Sequence, residues 1–122
     1  MLKKEFRLKK NSSFKATYLQ RRIVSDEFFV LYGGRNKENT ESPTKTGFVV
    51  SKKIHKRAVK RNRIKRLARE AYRLAQKQGE INKSNSFQSL IYVAKDGALE
   101  MDFDKAKLSV TKLINKLANK FI

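Results

Sequence analysis

The sequence predicts an α+β fold, a two-layer sandwich in which helices pack on a small mixed sheet in the order α-β-β-(β)-α-β-α. Two long stretches carry apolar residues at helical spacing. Short runs of β-branched and aromatic residues, bounded by glycine and polar loops, are typical of strands. The 122 residues fit one domain, and a hydrophobic content of 39% suffices for one core. We therefore predict a single domain over residues 1–122.

The beginning of the chain predicts a basic arm followed by a short helix. Residues 1–10 alternate basic and apolar side chains, which indicates an extended or partly ordered arm. Residues 11–13 are Asn-Ser-Ser and offer N-caps for a helix over about 12–20. Phe14 and Tyr18 lie four residues apart, so they share one face of that helix. Taken alone, this pair favours packing against the core.

Two strands are expected next. Residues 28–32 are aromatic and β-branched, with apolar residues on both faces. A polar loop over 35–45 leads to a second strand over 46–51, which we expect to run antiparallel to the first. Gly47 within it indicates a bulge or the close approach of another backbone. A further short strand near 21–24 is compatible with the pattern.

A long amphipathic helix is predicted over about 58–78. At 100° per residue, its apolar arc contains Ile64, Leu67, Ala68, Ala71, Leu74 and Ala75. The opposite arc contains Asn62, Arg63, Lys65, Arg66, Arg69, Arg73 and Lys77. One side therefore packs on the core, and the other faces solvent or a partner.

The last part of the chain predicts a strand and a helix. A polar loop over 80–88 precedes an almost entirely apolar strand over 89–94, which we place centrally in the sheet. A turn over 95–97 leads to a final amphipathic helix over about 103–121, with Asp102 as its N-cap.

Chemistry by the chain's own side chains is not expected. The sequence has one histidine and no cysteine, which excludes a Cys–His pair, disulfides and thiolate metal sites. The carboxylates Glu100, Asp102 and Asp104 are interpreted as caps and helix-dipole partners rather than as a metal site. We therefore predict no catalytic residue and no metal ligand in the protein.

The charge predicts a polyanionic partner. The net charge is +19, and residues 51–73 hold eleven of the thirty Lys and Arg residues against a single acid, Glu70. Nucleic acid is the commonest partner for such a surface, and an anionic membrane is the other. No apolar run approaches the roughly 20 residues of a membrane span. The first residues do not resemble a signal peptide, and the absence of cysteine fits the cytoplasm.

Two kinds of RNA contact are indicated. The basic loop and helix over 51–78 suit phosphates, with Asn62 able to reach a sugar or a base. Its candidate RNA-binding residues are Lys52, Lys53, Lys56, Arg57, Lys60, Arg61, Asn62, Arg63, Lys65, Arg66, Arg69 and Arg73. The aromatic residues Phe14, Tyr18 and Tyr32 suit unpaired bases, which stack on rings without a sequence requirement.

The chain resembles the protein subunit of bacterial ribonuclease P. The resemblance rests on SKKIHKRAVKRNRIKRLAREAYR (51–73), LKKEFRLKKNSSF (2–14), FFVLY (28–32) and TGFVVSKK (46–53). It implies a ribonucleoprotein endonuclease, a hydrolase that removes the 5′ leader of precursor tRNA. The catalyst would be the RNA subunit with Mg²⁺, bound mainly by that RNA and the substrate. The resemblance also implies a left-handed β-α-β crossover, an exception to the usual hand.

Carried over by position, the family motif places Arg61, Asn62, Arg63, Lys65, Arg66 and Arg69 against the RNA. The cleft for the single-stranded leader corresponds to Phe14, Tyr18, Val30, Tyr32, Val49 and Ser51. Two departures are a longer loop over 80–88 and Ala-Lys-Asp-Gly at 94–97, where the family often has Ala-Arg-Lys-Pro. The alternatives are a general RNA-binding structural protein, such as a ribosomal protein, and a protein-only nuclease acting through the three carboxylates.

Overall fold

The computed structural model describes residues 4–37, 43–80 and 86–121. Within them the fold is α+β, as predicted, in the order α-β-β-β-α-β-α. The helices are α1 (Asn11–Leu19), α2 (Ala58–Lys77) and α3 (Phe103–Phe121). The strands are β1 (Arg22–Ser25), β2 (Phe29–Gly33), β3 (Lys45–Val49) and β4 (Ser89–Ala94). Short 3-10 helices cover Lys4–Phe6 and Asp96–Glu100.

The four strands form one mixed sheet in the order β1-β2-β4-β3. Strand β2 pairs antiparallel with β1 and β4, whereas β3 pairs parallel with β4. The further strand near 21–24 and the central place of β4 are both confirmed. The strand at 46–51 runs antiparallel to the first, as expected, but the two do not pair as a hairpin, because β4 lies between β2 and β3. Parallel neighbours need a crossover connection, and α2 provides it between β3 and β4.

The sequence β3-α2-β4 therefore forms a parallel β-α-β unit. The left hand of this crossover stays a prediction from the resemblance. No helix in the described ranges has both the length and the apolar character needed to cross a membrane.

One face of the sheet packs against α2 and α3. Strand alternation directs Phe29 and Leu31 of β2, Leu90 and Tyr92 of β4, and Phe48 of β3 into this layer, and all five are buried. Tyr92 lies at the centre of an aromatic cluster. Its ring stacks on Phe48 at 5.5 Å between centroids, and meets Phe29 at 5.9 Å and Tyr72 at 6.1 Å.

The Tyr92 hydroxyl donates a hydrogen bond of 3.1 Å to the carbonyl oxygen of Val110 in α3. Burial, together with the nearby Tyr72 and Asp26, raises the pKa of Tyr92 well above its ordinary value. The hydroxyl consequently stays protonated and keeps this bond, which ties β4 to the final helix.

The buried side of α2 differs slightly from the predicted arc. Ile64, Ala68, Ala71 and Ala75 are buried as expected, and Tyr72 is buried with them. Leu67 and Leu74 are only partly buried. Tyr72 was not included in the predicted apolar arc, yet its ring fills the space against Phe48, with centroids 6.0 Å apart.

Helix α3 matches its predicted bounds. The Asp102 side chain accepts a hydrogen bond of 2.9 Å from the backbone N–H of Lys105, which confirms Asp102 as the cap. Residues of α3 such as Leu113, Ile114 and Leu117 are fully buried. The cap and the apolar stripe together fix where this helix begins and which side faces the sheet.

Candidate nucleic-acid interface

The other face of the sheet presents two parallel rows of side chains. Strand alternation and the pairing register define them, since partners in a ladder point to the same side. One row, from β1 to β3, is Ile23, Tyr32, Ile91 and Gly47. The next row is Ser25, Val30, Val93 and Val49. The two rows differ in what covers them.

Helix α1 covers the first row. The Tyr18 ring meets the Tyr32 ring edge-on, with centroids 4.7 Å apart and planes at 86°. Phe14 lies over Gly47: a Cβ added there would lie 2.7 Å from the Phe14 ring. The hydroxyls of Thr17 and Ser89 share a hydrogen bond of 2.5 Å, which anchors α1 to β4. The close approach expected at Gly47 is therefore real, but the neighbour is a side chain and not a backbone.

The second row stays open and forms what we call the trough. Its floor consists of Val30, Val93 and Val49, all partly exposed, and its wall consists of Tyr18 and Tyr32 on the side of α1. Val93 was not among the predicted cleft residues, although it lies between the two valines that were. Alternation along 89–94 was the available signal, but an almost continuous apolar strand hides which residues face outwards.

The valine floor of the trough is apolar. Burial, and next the neighbouring Tyr32, raise the pKa of Tyr18 above its ordinary value. The Tyr18 hydroxyl thus remains uncharged at neutral pH and does not repel phosphates. Such a surface offers faces on which bases can stack without a sequence requirement.

A basic loop begins where the trough ends at β3. Ser51, the last predicted cleft residue, is exposed two positions after Val49 and opens this loop. The loop is held by Arg61, whose Nη1 donates hydrogen bonds of 2.8 Å to the carbonyl oxygens of both His55 and Lys56. Arg61 therefore positions the loop backbone, a role that the motif alone did not indicate.

Loop 51–57 and the outer side of α2 together form what we call the basic surface. Its exposed members are Lys52, Lys53, Lys56, Arg57, Lys60, Asn62 and Arg66. Its partly buried members are Arg61, Arg63, Lys65, Arg69 and Arg73. The loop and the helix together carry all twelve predicted RNA-binding residues.

Two arginines of the basic surface also make contacts within the protein. Arg63 Nη2 donates a hydrogen bond of 3.2 Å to the carbonyl oxygen of Met101, which links α2 to the start of α3. Arg73 Nη2 lies 3.2 Å from Glu70 Oε2 in an ion pair within α2. Of the motif arginines, Arg66 is the most directly available to a ligand.

Lys95 lies in the Ala-Lys-Asp-Gly segment at the end of β4. Its Nζ donates a hydrogen bond of 2.8 Å to the carbonyl oxygen of Asp26, and the side chain is exposed. Asp96 and Gly97 begin the 3-10 helix that follows. Within the described parts of the chain, no three His, Cys, Asp or Glu side chains are grouped so that they could hold a metal ion.

Comparison with known proteins identifies the family. The family model described as Ribonuclease P matches residues 2–118. The "Ribonuclease P protein component" of Thermoanaerobacter sp. (strain X514) is 37% identical over 116 residues, covering 95% of this chain and 92% of that protein. The protein of the same name from Listeria innocua is 34% identical over 113 residues, covering 93% and 88%.

Solved structures agree with this assignment. The RNase P protein of Staphylococcus aureus superposes with a TM-score of 0.74 at 30% identity, covering 93% of this chain and 95% of that one. The RNase P protein of Thermotoga maritima, at 22% identity and a TM-score of 0.73 over 90% and 96% of the two chains, shares the fold. With its basic motif, its sheet topology and these relatives, the chain belongs to the ribonuclease P protein family.

Proposed function

We propose that this chain binds the catalytic RNA subunit of ribonuclease P through the basic surface and the 5′ leader of precursor tRNA through the trough. It thereby assists the endonucleolytic step that produces the mature 5′ end of tRNA. The observation that carries this proposal is the position of the basic loop, which begins at Ser51, two residues after Val49 in the floor of the trough. A general RNA-binding structural protein has no comparable need for an open apolar channel, and the relatives lend that alternative no support.

The side chains of the basic surface and of the trough suit different parts of the RNA. Arg66, Lys60 and the loop lysines bind phosphates and release counterions, so affinity should fall steeply with salt. The valine floor and the tyrosine wall accept unpaired bases of the leader. Mature tRNA lacks the leader and would lose these contacts, which explains a preference for the precursor. Mg²⁺ would be bound mainly by the RNA subunit and the substrate and would supply the charge stabilisation for phosphodiester cleavage. We place this assembly in the cytoplasm.

Reconstitution tests the proposal. Adding this protein to a bacterial ribonuclease P RNA at low Mg²⁺ is expected to restore cleavage of precursor tRNA, followed as release of the leader. The same holoenzyme should bind precursor tRNA more tightly than mature tRNA. Failure to restore cleavage would contradict the assignment to this RNA, and equal affinity for the two tRNAs would contradict the trough. Cleavage by the protein with Mg²⁺ alone would indicate a protein nuclease instead.

Gly47 allows the trough to be tested without removing any aromatic side chain. In Gly47→Ala, the new methyl group would lie 2.7 Å from the Phe14 ring, so the ring must move. Because base–aromatic stacking is worth about 1–3 kcal/mol per base, displacement of Phe14 should lower the affinity for precursor tRNA by up to about that amount. Affinity for mature tRNA should not change. Binding of both tRNAs by the reconstituted holoenzyme measures the difference.

The double variant Gly47→Ala/Phe14→Ala is the control. If the methyl group acts through Phe14, the double variant should bind precursor tRNA no more weakly than Phe14→Ala alone. Additive losses would show that Gly47 acts by another route, such as distortion of β3.

A further inference from the structure

A second basic groove lies outside the surfaces described so far. It has a volume of about 710 Å³ and runs between the first 3-10 helix, the start of α1 and the start of β3. Its basic lining residues are Lys4, Arg7, Lys9, Lys10 and Lys45, with Glu5 as the acidic lining residue. None of these residues belongs to the basic motif.

The groove is built on fixed backbone. The Leu8 N–H donates a hydrogen bond of 3.0 Å to the carbonyl oxygen of Thr46, and Arg7 forms a parallel bridge with the same residue. Leu8 is 7% exposed and forms the apolar floor of the groove. Residues 4–10 therefore lie in a defined position beside β3, more ordered than the loose arm that the sequence indicated.

The lysines of this groove lie at the start of helix α1, where positive charge is unfavourable. The start of a helix carries a partial positive charge, which favours anions and disfavours cations. Helix α1 nevertheless begins directly after Lys9 and Lys10, and Lys10 provides no side-chain cap. An anion in the groove would meet both the lysines and the helix start, which together form a suitable phosphate site. This arrangement indicates a phosphate-bearing ligand.

The groove and the trough lie at opposite ends of the same strand, β3. The position of a Cβ on Gly47 lies 2.7 Å from the Phe14 ring and 3.5 Å from Leu8 Cβ, so Phe14 separates the groove from the trough. Strand β3 runs from Lys45, in the groove, to Val49, in the trough. At about 3.3 Å per residue these ends are about 13 Å apart, a distance that a few nucleotides can span.

We propose that the groove binds phosphates of leader nucleotides that lie 5′ to those in the trough. This proposal depends on the proposed function of the trough. The groove lies at the Lys45 end of β3, whereas the basic surface begins after its Val49 end, so the leader is favoured over the RNA subunit as the ligand. The lining holds cations and an apolar floor, so it recognises the sugar–phosphate backbone and not the base sequence.

The test compares two charge-matched variants in the reconstituted holoenzyme. Lys9→Gln/Lys45→Gln removes two exposed cations from the groove, and Lys105→Gln/Lys112→Gln removes two exposed cations from α3. For each variant, the affinity is measured for a series of precursor tRNAs whose leaders differ in length by one nucleotide. For the unaltered protein, affinity should rise once as the trough fills and again as the leader reaches the groove.

The groove variant should lose the second rise and keep the first. With single strands, each lost phosphate contact lowers the slope of log affinity against log salt by about 0.7, so two should lower it by about 1.4 for the longest leader only. The α3 variant should keep both rises. Melting curves of both variants confirm that they are folded.

Three results would overturn the proposal. The groove variant could keep the second rise, or it could lose affinity equally for every leader length and for the RNA subunit alone, which would assign the groove to that RNA. The α3 variant could lose the second rise as well, which would assign the effect to overall charge. Failure of the proposed function looks different, because then the unaltered protein restores no cleavage.

Discussion

Replacing Tyr92 with alanine is expected to lower the free energy of unfolding by about 3–5 kcal/mol, as large aromatic truncations in cores do. Tyr92 is fully buried, and its ring contacts Phe29, Phe48 and Tyr72. No other buried ring is in contact with three aromatic neighbours in the described residues. The substitution leaves a cavity between the sheet and both long helices. For a domain of 122 residues, the expected loss is a large share of the total free energy of unfolding.

Chemical denaturation of the isolated protein measures this effect. Tyr92→Phe is the matched control, since it keeps the ring and removes only the hydroxyl that donates to Val110. Its cost should be about 0.5–1.5 kcal/mol, the usual net value of one hydrogen bond. Tyr18→Ala, at a partly exposed ring, should cost less than Tyr92→Ala. Equal costs at the two positions would show that the aromatic cluster is not the centre of the core.

Local patterns were sufficient for the elements themselves. Strand β4 and helix α3 have the predicted bounds, because a continuous apolar run and a regular apolar stripe are properties of neighbouring residues. Helix α2 ends one residue before the predicted position. Strand β2 is shifted by one residue, since Phe28 lies in the turn held by Asp26, whose side chain accepts hydrogen bonds from two backbone N–H groups.

Strand pairing could not be predicted in the same way. The local sequence of residues 45–49 carries no information on which strand lies beside it, and the true partner is some forty residues further along the chain. The proximity of β2 and β3 in sequence favoured a hairpin. Instead, the long helix α2 packs on the sheet, and the chain after it forms β4 between these two strands. Part of the connecting loop lies outside the described residues.

The candidate site was predicted by residue type, and its geometry was not. Val93 enters the trough only once the register of β2, β4 and β3 is known. Arg61 and Arg63 were both predicted to bind RNA, yet their long side chains reach back to carbonyl oxygens of the protein. A helical projection gives the direction of a Cα–Cβ bond. The hydrogen-bond acceptor that a long arginine side chain reaches depends instead on which other segments of the protein pack beside the helix.

Changing Arg66 to alanine is expected to weaken binding of the RNA subunit by about 1.5–3 kcal/mol, the value of hydrogen bonds to a charged group. The side chain is exposed on the side of α2 opposite Ile64 and Ala68. Stability should change by no more than about 0.5 kcal/mol, since no core contact is lost. Titration of the RNA subunit and thermal melting measure the two quantities separately. In the holoenzyme, cleavage should then require more Mg²⁺.

Comparison with Arg63 and Lys112 separates contact from positioning and from bulk charge. Arg63→Ala removes a hydrogen bond to Met101 as well, so it should lower both the RNA affinity and the melting temperature. Lys112→Ala removes the same charge from the exposed side of α3 and should change the RNA affinity only slightly. If Arg66→Ala and Lys112→Ala weakened binding equally, the basic surface would attract RNA through its total charge. A loss confined to α2 would instead show that the RNA is held at the motif itself.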